Sequence, residues 1–469
     1  MNFSSSDYFK ETVIGRLPND WNYSTLRDLG GQRAVQTGPF GSLLHSSDYS
    51  EDGTGVPLLL VNSFKNGNLT GKELPKVNKN KADTLSRFLL KEGDIVFSRV
   101  GEVGRTIYIN KNMEGWLFSG QTLRIRLENK KINNRFVELY FRSKEAKKVS
   151  DATSLGTTRP SINTEILLNR VIPIPPIYEQ NEIVRIVNSL DSKISLIKQL
   201  NVSLESIVQA LFKSWFVDFD PVRAKMVGEP PESICKRLKL MPEILNMFPD
   251  RLVNSELGEI PDGWKLKKLS DFIDLERGLS YKGKYLSDTG TPMVNLGCIS
   301  KDSTFIETSI KYYTGDFKIK YQVSSGDIVI ANTDITQKRE VLGSPVFVPE
   351  IFENHVFIFT HHLYAVRFKN EISKHYIFQL LCTKRYRNRV IGFATGTTVL
   401  AIPEETILSF KFAEPTFKIL SLFHILIDSI YERIKVSEKE NNFLEETRDL
   451  LLPQLMSGKI RVPVGDANE

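Results

Sequence analysis

The chain has 469 residues, of which 41% are hydrophobic and 25% charged, and a net charge of +6. That is the composition of a globular protein of roughly two to four domains. It excludes a disordered or disulfide-stapled chain, because Cys235, Cys298 and Cys382 are scattered and form no CxxC pair.

The start, "MNFSSSDYFKET", is polar and acidic rather than leader-like. No run reaches the ~18 uninterrupted apolar residues of a membrane helix. A reducing, cytoplasmic setting without a membrane partner is the expectation. Charge is uneven: residues 1–176 carry 25 Lys+Arg against 18 Asp+Glu, 177–255 carry 10 and 10, 256–414 carry 20 and 19, and 415–469 carry 7 and 9. With the cluster "KRYRNR" at 384–389, this is compatible with a polyanionic partner.

In chain order, "VIGRLPNDWNYSTLRDL" (13–29) comes first, and it returns at mid-chain around "ELGEIPDGW" (256–264). Gly15, Pro18, Trp21, Leu26 and Asp28 match Gly258, Pro261, Trp264, Leu269 and Asp271, all at offset 243. A shared offset marks a duplication. It continues: "GPFGSLLHSSDY" with "GLSYKGKYLSDTG", the proline-started strands at Pro57 and Pro292, "KEGDIVFSRVGEVG" with "SSGDIVIANTDIT", and "LGTTRPSI" with "ATGTTVLAI". Each GDIV reads as a Gly-Asp turn feeding a buried strand. Strand-like runs dominate, with helical stretches such as "NNRFVELYFRSKEAKKV" between them. Each half is therefore expected to be a mixed α/β (α+β) domain.

A long helical pattern follows each GTT. A 4-3 spacing selects Ile183, Val187, Leu190, Ile194, Ile197, Asn201, Leu204, Val208, Leu211 and Trp215. Adding 240 selects Phe423, Ile427, Ile430, Ile434, Ser437, Asn441, Leu444, Arg448, Leu451 and Leu455. The asparagine recurs, each helix should run about 30–36 residues, and Pro453 should end the second. The plan is domain (1–176), long helix (177–217), Pro-rich and charged linker (218–255), domain (256–414), and long helix with tail (415–469). Antiparallel pairing of the helices as a coiled coil would give an internal pseudo-two-fold. Off the seam, Ile186, Leu200, Ile207 and Phe216 are expected to expose an apolar surface to a partner.

The segments "ALFKSWFVDFDPVRAK" (210–225), "SELGEIPDGW" (255–264), "IPIPPIYEQNEIV" (172–184) and "LLPQLMSGKIRV" (451–462) resemble the DNA-specificity subunit of type I restriction–modification enzymes. The resemblance spans nearly the whole chain. It implies two target-recognition domains, each reading half of a bipartite double-stranded DNA site. It implies that the helices are a spacer and dock two methyltransferase subunits, which restriction subunits join, in a prokaryotic cytoplasm. S-adenosylmethionine, ATP and Mg²⁺ would bind those partners, and this chain would hold no cofactor or metal. One departure is "FAEPTFKIL", which lacks the Glu-Gln of "PPIYEQ".

An enzyme is the rival class, and a tandem-repeat scaffold or ligand-binding protein another. "GLSYKGKY" (278–285) nearly matches a phosphate loop, but Tyr285 replaces the Mg²⁺-binding hydroxyl. "EPPE" at 229–232 has no aromatic to complete an adenine-methyltransferase motif. His361-His362 lie in the strand-like "FIFTHHLYAV". No catalytic set emerges. DNA-contact candidates lie on loops that recur between halves: Ser98, Arg99 and Arg105 in one, Asn332, Thr333, Lys338 and Arg339 in the other, since Arg can read guanine and Asn adenine. Thr157, Thr158, Arg159, Thr397 and Thr398 in the Gly-Thr-Thr turns offer donors to phosphate. Lys282 and Lys284 are further loop candidates. One scaffold with different loops predicts an asymmetric target.

Overall fold

The computed structural model describes residues 8–71, 73–143, 146, 161–336, 338–350, 356–370, 372–397 and 399–462. The chain forms two compact units. One comprises Met1–Lys198 with Glu438–Glu469, the other Gln199–Ser437. Each is mixed α/β.

In the first unit, a four-stranded antiparallel sheet has the order Thr106–Tyr108, Ile95–Ser98, Thr122–Ile125, Val35–Thr37. In the second, the sheet Pro345–Phe347, Ile328–Ala331, Leu363–Phe368, Ile273–Arg277 repeats that order. The GDIV strands Ile95–Ser98 and Ile328–Ala331 sit in the middle and are buried throughout. Their preceding Asp closes the turn on itself. Asp94 Oδ2 accepts from the Lys91 amide at 2.8 Å, and Asp327 Oδ2 from the Ser324 amide at 3.0 Å. Each carboxylate also meets an arginine of the neighbouring strand region: Arg126 at 2.6 Å for Asp94, Arg367 at 3.6 Å for Asp327.

The proline-started strands Val56–Leu59 and Thr291–Val294 belong to a second sheet, three-stranded in one unit and five-stranded in the other. In each it pairs parallel with a strand ending in Phe, Phe118 or Phe359. The run "FIFTHHLYAV" is two strands, Phe357–Phe359 and Leu363–Phe368, broken at the histidines because the chain crosses there from one sheet to the other.

The long helices are Ile177–Phe216 and Phe417–Met456, 40 residues each and longer than the expected 30–36. They run antiparallel. In the first unit Ile183 and Val187 share a core with Leu452, Leu455 and Met456. In the second, Phe212, Trp215 and Phe216 pack against Phe423. All named seam positions are buried or half-buried: Ile183, Val187, Ile194, Ile197, Val208, Trp215, Phe423, Ile427, Ile434, Ser437, Asn441, Arg448 and Leu455 are buried, and Leu190, Asn201, Leu204, Leu211, Ile430, Leu444 and Leu451 half-buried.

Pro453 does not end the second helix; it lies inside it. It sits in the last turn, where one missing amide is outweighed by burial of Leu452, Leu455 and Met456. Leu200 and Ile207 are exposed as expected, but Phe216 is buried among Trp264, Tyr376 and Phe423. The expected linker is folded: Asp220–Met226, Pro231–Leu238 and Pro242–Leu245 are helices. Pro221, Pro231 and Pro242 stand in the first turn of each, where a missing N–H costs nothing.

Candidate nucleic-acid interface

The GDIV strand of each unit ends where three loops meet. In the first unit, the Arg99 amide donates to Gln121 O at 3.1 Å, and Arg99 O accepts from the Ile162 amide at 3.0 Å. In the second, the Asn332 amide donates to His362 O at 3.0 Å, and Asn332 O accepts from the Ile402 amide at 2.9 Å. Arg99 and Asn332 are therefore the same position of the fold. By the same ladders Arg105 corresponds to Ser344, each bonded back to the strand end at Ser98 or Ala331. Ser119 corresponds to Thr360, each accepting from the residue three places on.

The third loop passes so close that only glycine fits. A Cβ on Gly38 would lie 2.3 Å from Ser119 O, and one on Gly278 2.2 Å from Thr360 O. This is why "TGPFG" and "RGLSY" both need their glycine.

Polar atoms left unpaired collect at this corner. Among the described residues, 13 buried side-chain N or O atoms have no hydrogen-bond partner, and seven of them are here. They are Nε of Arg99 and Arg105 and Oγ of Ser119 in one unit, and Oδ1 of Asn332, Oγ of Ser344, Oγ1 of Thr360 and Nδ1 of His361 in the other. Buried polar atoms are almost always paired, so a cluster at the same three positions in both units calls for water or a ligand to complete it.

The sequence-selected residues divide by how they are used. Ser98 is buried and spent internally: its hydroxyl donates to Glu102 O at 2.7 Å and accepts from the Arg105 amide at 2.8 Å. Thr333 is buried, with Oγ1 2.8 Å from His362 Nδ1, a ring whose pKa is lowered by its burial. Asn332 is only 2% exposed and donates Nδ2 to His361 O at 3.1 Å. Arg99 and Arg105 are half-exposed, and Arg105 pairs with Glu102.

Lys338 and Arg339 are exposed in the next loop, with Arg339 at φ +58°. That loop is held by Asp334, which accepts from Thr336 and Val341, and by Arg387, which donates to Glu340 O and Leu342 O. Two of the "KRYRNR" arginines thus serve structure: Arg389 likewise donates to Thr406 O and Ser409. Lys282 and Lys284 are exposed on a short turn beside Tyr285, with Lys284 Nζ 4.8 Å from its ring. Thr397 is exposed. Thr157, Thr158, Arg159 and Thr398 lie outside the described residues.

Sequence reading missed Ser119, Ser344, Thr360 and His361. A signal existed: "FSGQT" (118–122) and "FTHHL" (359–363) are the same segment at offset 241. Among the described residues no group of three or more His, Cys, Asp or Glu could hold a metal, and no helix is long and apolar enough to cross a membrane.

Residues 18–206 match the family described as type I restriction modification DNA specificity domain. Relatives align over most of the chain. The type I restriction enzyme MjaIX specificity subunit of Methanocaldococcus jannaschii is 24% identical over 97% of this chain and 96% of its own. The HindI specificity subunit of Haemophilus influenzae is 25% identical over 79% of this chain and 87% of its own. Over these spans the chain is similar to type I restriction–modification specificity subunits. A solved type I specificity subunit from M. genitalium is 14% identical, with a TM-score of 0.46, over 93% of this chain and 96% of that one.

The motifs that carry this similarity have structural causes. In "PPIYEQ", Glu179 is buried and accepts from Trp21 Nε1 at 2.8 Å and from Arg461 at 2.7 and 3.0 Å. Gln180 accepts from the Asn133 amide and donates to Lys131 O and Pro175 O. In "SGKIRV", Gly458 lies against Trp21 and Pro18, and Arg461 also pairs with Asp20 at 2.7 Å, holding that carboxyl below its usual pKa. In "ALFKSWFVDFDP", Phe216 and Phe219 cover Trp264 instead.

Proposed function

We propose that this specificity subunit reads an asymmetric, bipartite duplex DNA target, each compact unit reading one half. The observation that carries this is the matched corner: the same three fold positions hold unpaired polar atoms in both units, but as Arg, Arg and Ser in one and Asn, Ser and Thr in the other. One scaffold with different donors and acceptors is what two different half-sites require.

In this reading the recognition domains are 1–176 and 256–414. Arg99, Arg105 and Asn332 lie at the reading corners; Lys282, Lys284, Lys338 and Arg339 are cations available to phosphates. Thr157, Thr158, Arg159, Thr397 and Thr398 keep the phosphate role that their sequence suggests. The helices (177–217 and 415–469) space the readers and present exposed apolar residues such as Leu196, Ile207, Ile425 and Phe443 to two methyltransferase subunits. Restriction subunits complete the assembly. S-adenosylmethionine, ATP and Mg²⁺ act on those partners, and this chain carries out no chemical step.

The test maps methylated adenines across a host genome with and without the chain. It then exchanges residues 1–176 for the equivalent domain of a relative. One half-site should change and the other stay. Both changing together would sink the two-reader proposal.

A further inference from the structure

We propose that the residue directly after each GDIV strand selects a base, and that the two units select opposite hydrogen-bonding edges. Arg99 takes an acceptor edge, guanine O6 and N7. Asn332 takes an amine-bearing edge, adenine N6 or cytosine N4. This rests on the reading of DNA proposed above.

The position is fixed by backbone. Both residues spend their amide and carbonyl in the same two hydrogen bonds, so only the side chain is left over. In the first unit the leftover is a donor. A guanidinium has N–H groups and no acceptor. No described residue accepts a hydrogen bond from the Arg99 side chain, and its Nε is buried without a partner. Arg105, the neighbour with the same surplus, is partly committed to Glu102. Arg99 is therefore the free fork at this corner, and a fork of two donors matches the paired acceptors of guanine in the major groove.

In the second unit the leftover is an acceptor. Asn332 Nδ2 faces His361 O at 3.1 Å, which fixes the orientation of the amide and leaves Oδ1 without a partner. With its donor committed, Asn332 cannot read adenine through both N6 and N7. Because Oδ1 is buried, it can accept one N–H through one bridging water, at the corner it shares with the Ser344 and Thr360 hydroxyls. Only adenine and cytosine present an amine in the major groove.

The test uses the chain assembled with its modification subunits, and reads binding to duplexes at one fixed salt concentration. Each guanine of the first half-site is replaced in turn by 7-deazaguanine. Each adenine of the second is replaced by purine and each cytosine by 2-pyrimidinone. The unmodified complex should lose roughly tenfold in affinity at one guanine and at one amine-bearing base. Whether purine or 2-pyrimidinone causes the second loss names the base. Arg99→Gln should already be weaker and indifferent to 7-deazaguanine at that position, while keeping the response of the second half-site. Asn332→Leu should show the converse.

Arg99→Lys keeps the charge but loses the rigid planar fork, so it should bind more weakly while staying sensitive to the same 7-deazaguanine. If it binds as tightly as the parent and responds to no 7-deazaguanine of the first half-site, Arg99 is a phosphate contact and the proposal falls. It falls equally if Arg99→Gln loses affinity evenly for every sequence, or keeps full sensitivity to every 7-deazaguanine. Thermal unfolding of each variant separates these results from misfolding. An unmodified complex that binds its target no better than random duplex would instead overturn the reading of DNA itself.

Discussion

Trp21 and Trp264 are the same residue of the repeat, and their indole N–H groups meet different fates. Trp21 donates to buried Glu179, whereas Trp264 Nε1 is buried with no partner. The position that matches Glu179 at offset 240 is Ile419, fully buried. The first unit therefore closes its tail with charge, through Glu179, Arg461 and Asp20, and the second with aromatic rings. Glu179→Gln should still accept from Trp21 but lose the ion pair. Because Arg461 is 42% exposed, the cost should be only about 1–2 kcal/mol. Glu179→Leu strips both partners and should cost about 1 kcal/mol more. Denaturant midpoints of the full-length protein measure this. A leucine variant as stable as the parent would mean that the apolar solution of the second unit suits the first equally well.

At the scale of elements, the helix pair carries a buried ion network at one end. Asp191 meets Arg142 at 2.8 Å and Arg448 at 3.1 Å, and Arg135 bridges Asp191 to Glu138. Burial alone would raise the Asp191 pKa, but the two arginines hold it below the usual value. The matching place in the other unit is aromatic: His375 stacks on Tyr431 at 4.0 Å, and Phe347 on Phe378 at 4.3 Å. Between these ends sit the seam asparagines. Asn441 is buried and Asn201 half-buried, and each Oδ1 is buried without a partner. An unpaired amide in an apolar seam costs about 1–3 kcal/mol. Asn201→Leu and Asn441→Leu together should raise the thermal midpoint of the complex. The cost of the amides would then be the cost of a fixed register. If the double variant melts lower, the amides are satisfied in solution and hold no register.

At the scale of the whole molecule, the second compact unit is a continuous stretch of chain and the first is not. The first takes its closing helix turns and tail from residues 438 onward. Both long helices therefore belong to both units, which motivates treating them as a ruler. Inserting seven residues at equivalent points of both helices preserves the heptad seam. It adds about 10.5 Å at ~1.5 Å per residue. At ~3.4 Å per base pair that is roughly three more base pairs between half-sites. The bases within each half-site should not change. The spacer turns one half-site by roughly 100° about the DNA axis, at ~10–10.5 base pairs per turn. Lost activity is therefore ambiguous, and the informative case is an insert that still methylates. If its mapped target keeps the original spacing, the helices do not measure distance.

The duplication, the GDIV strands, the two long helices and their seam were all legible in the sequence by itself. These are local or periodic properties: a shared offset, a Gly-Asp turn, and an apolar residue every three or four positions survive without knowledge of contacts. Helix ends were less legible. Pro453 reads as a stop, and the prolines at 221, 231 and 242 read as a linker, because whether a proline breaks or begins a helix depends on what its neighbours bury. The corner at the ends of the GDIV strands needed the tertiary structure. In sequence, Ser98 and Arg99 are adjacent loop residues of equal promise; only the ladder shows that the hydroxyl of Ser98 is spent on Glu102 and Arg105 while the guanidinium of Arg99 is left over. Ser119 and Thr360 lie 20 and 28 residues from Arg99 and Asn332 in the chain, and only the crossing between sheets brings them to the same corner. A hydrogen-bond partner is a fact about space, so which polar atoms remain unpaired is decided only when the chain has folded.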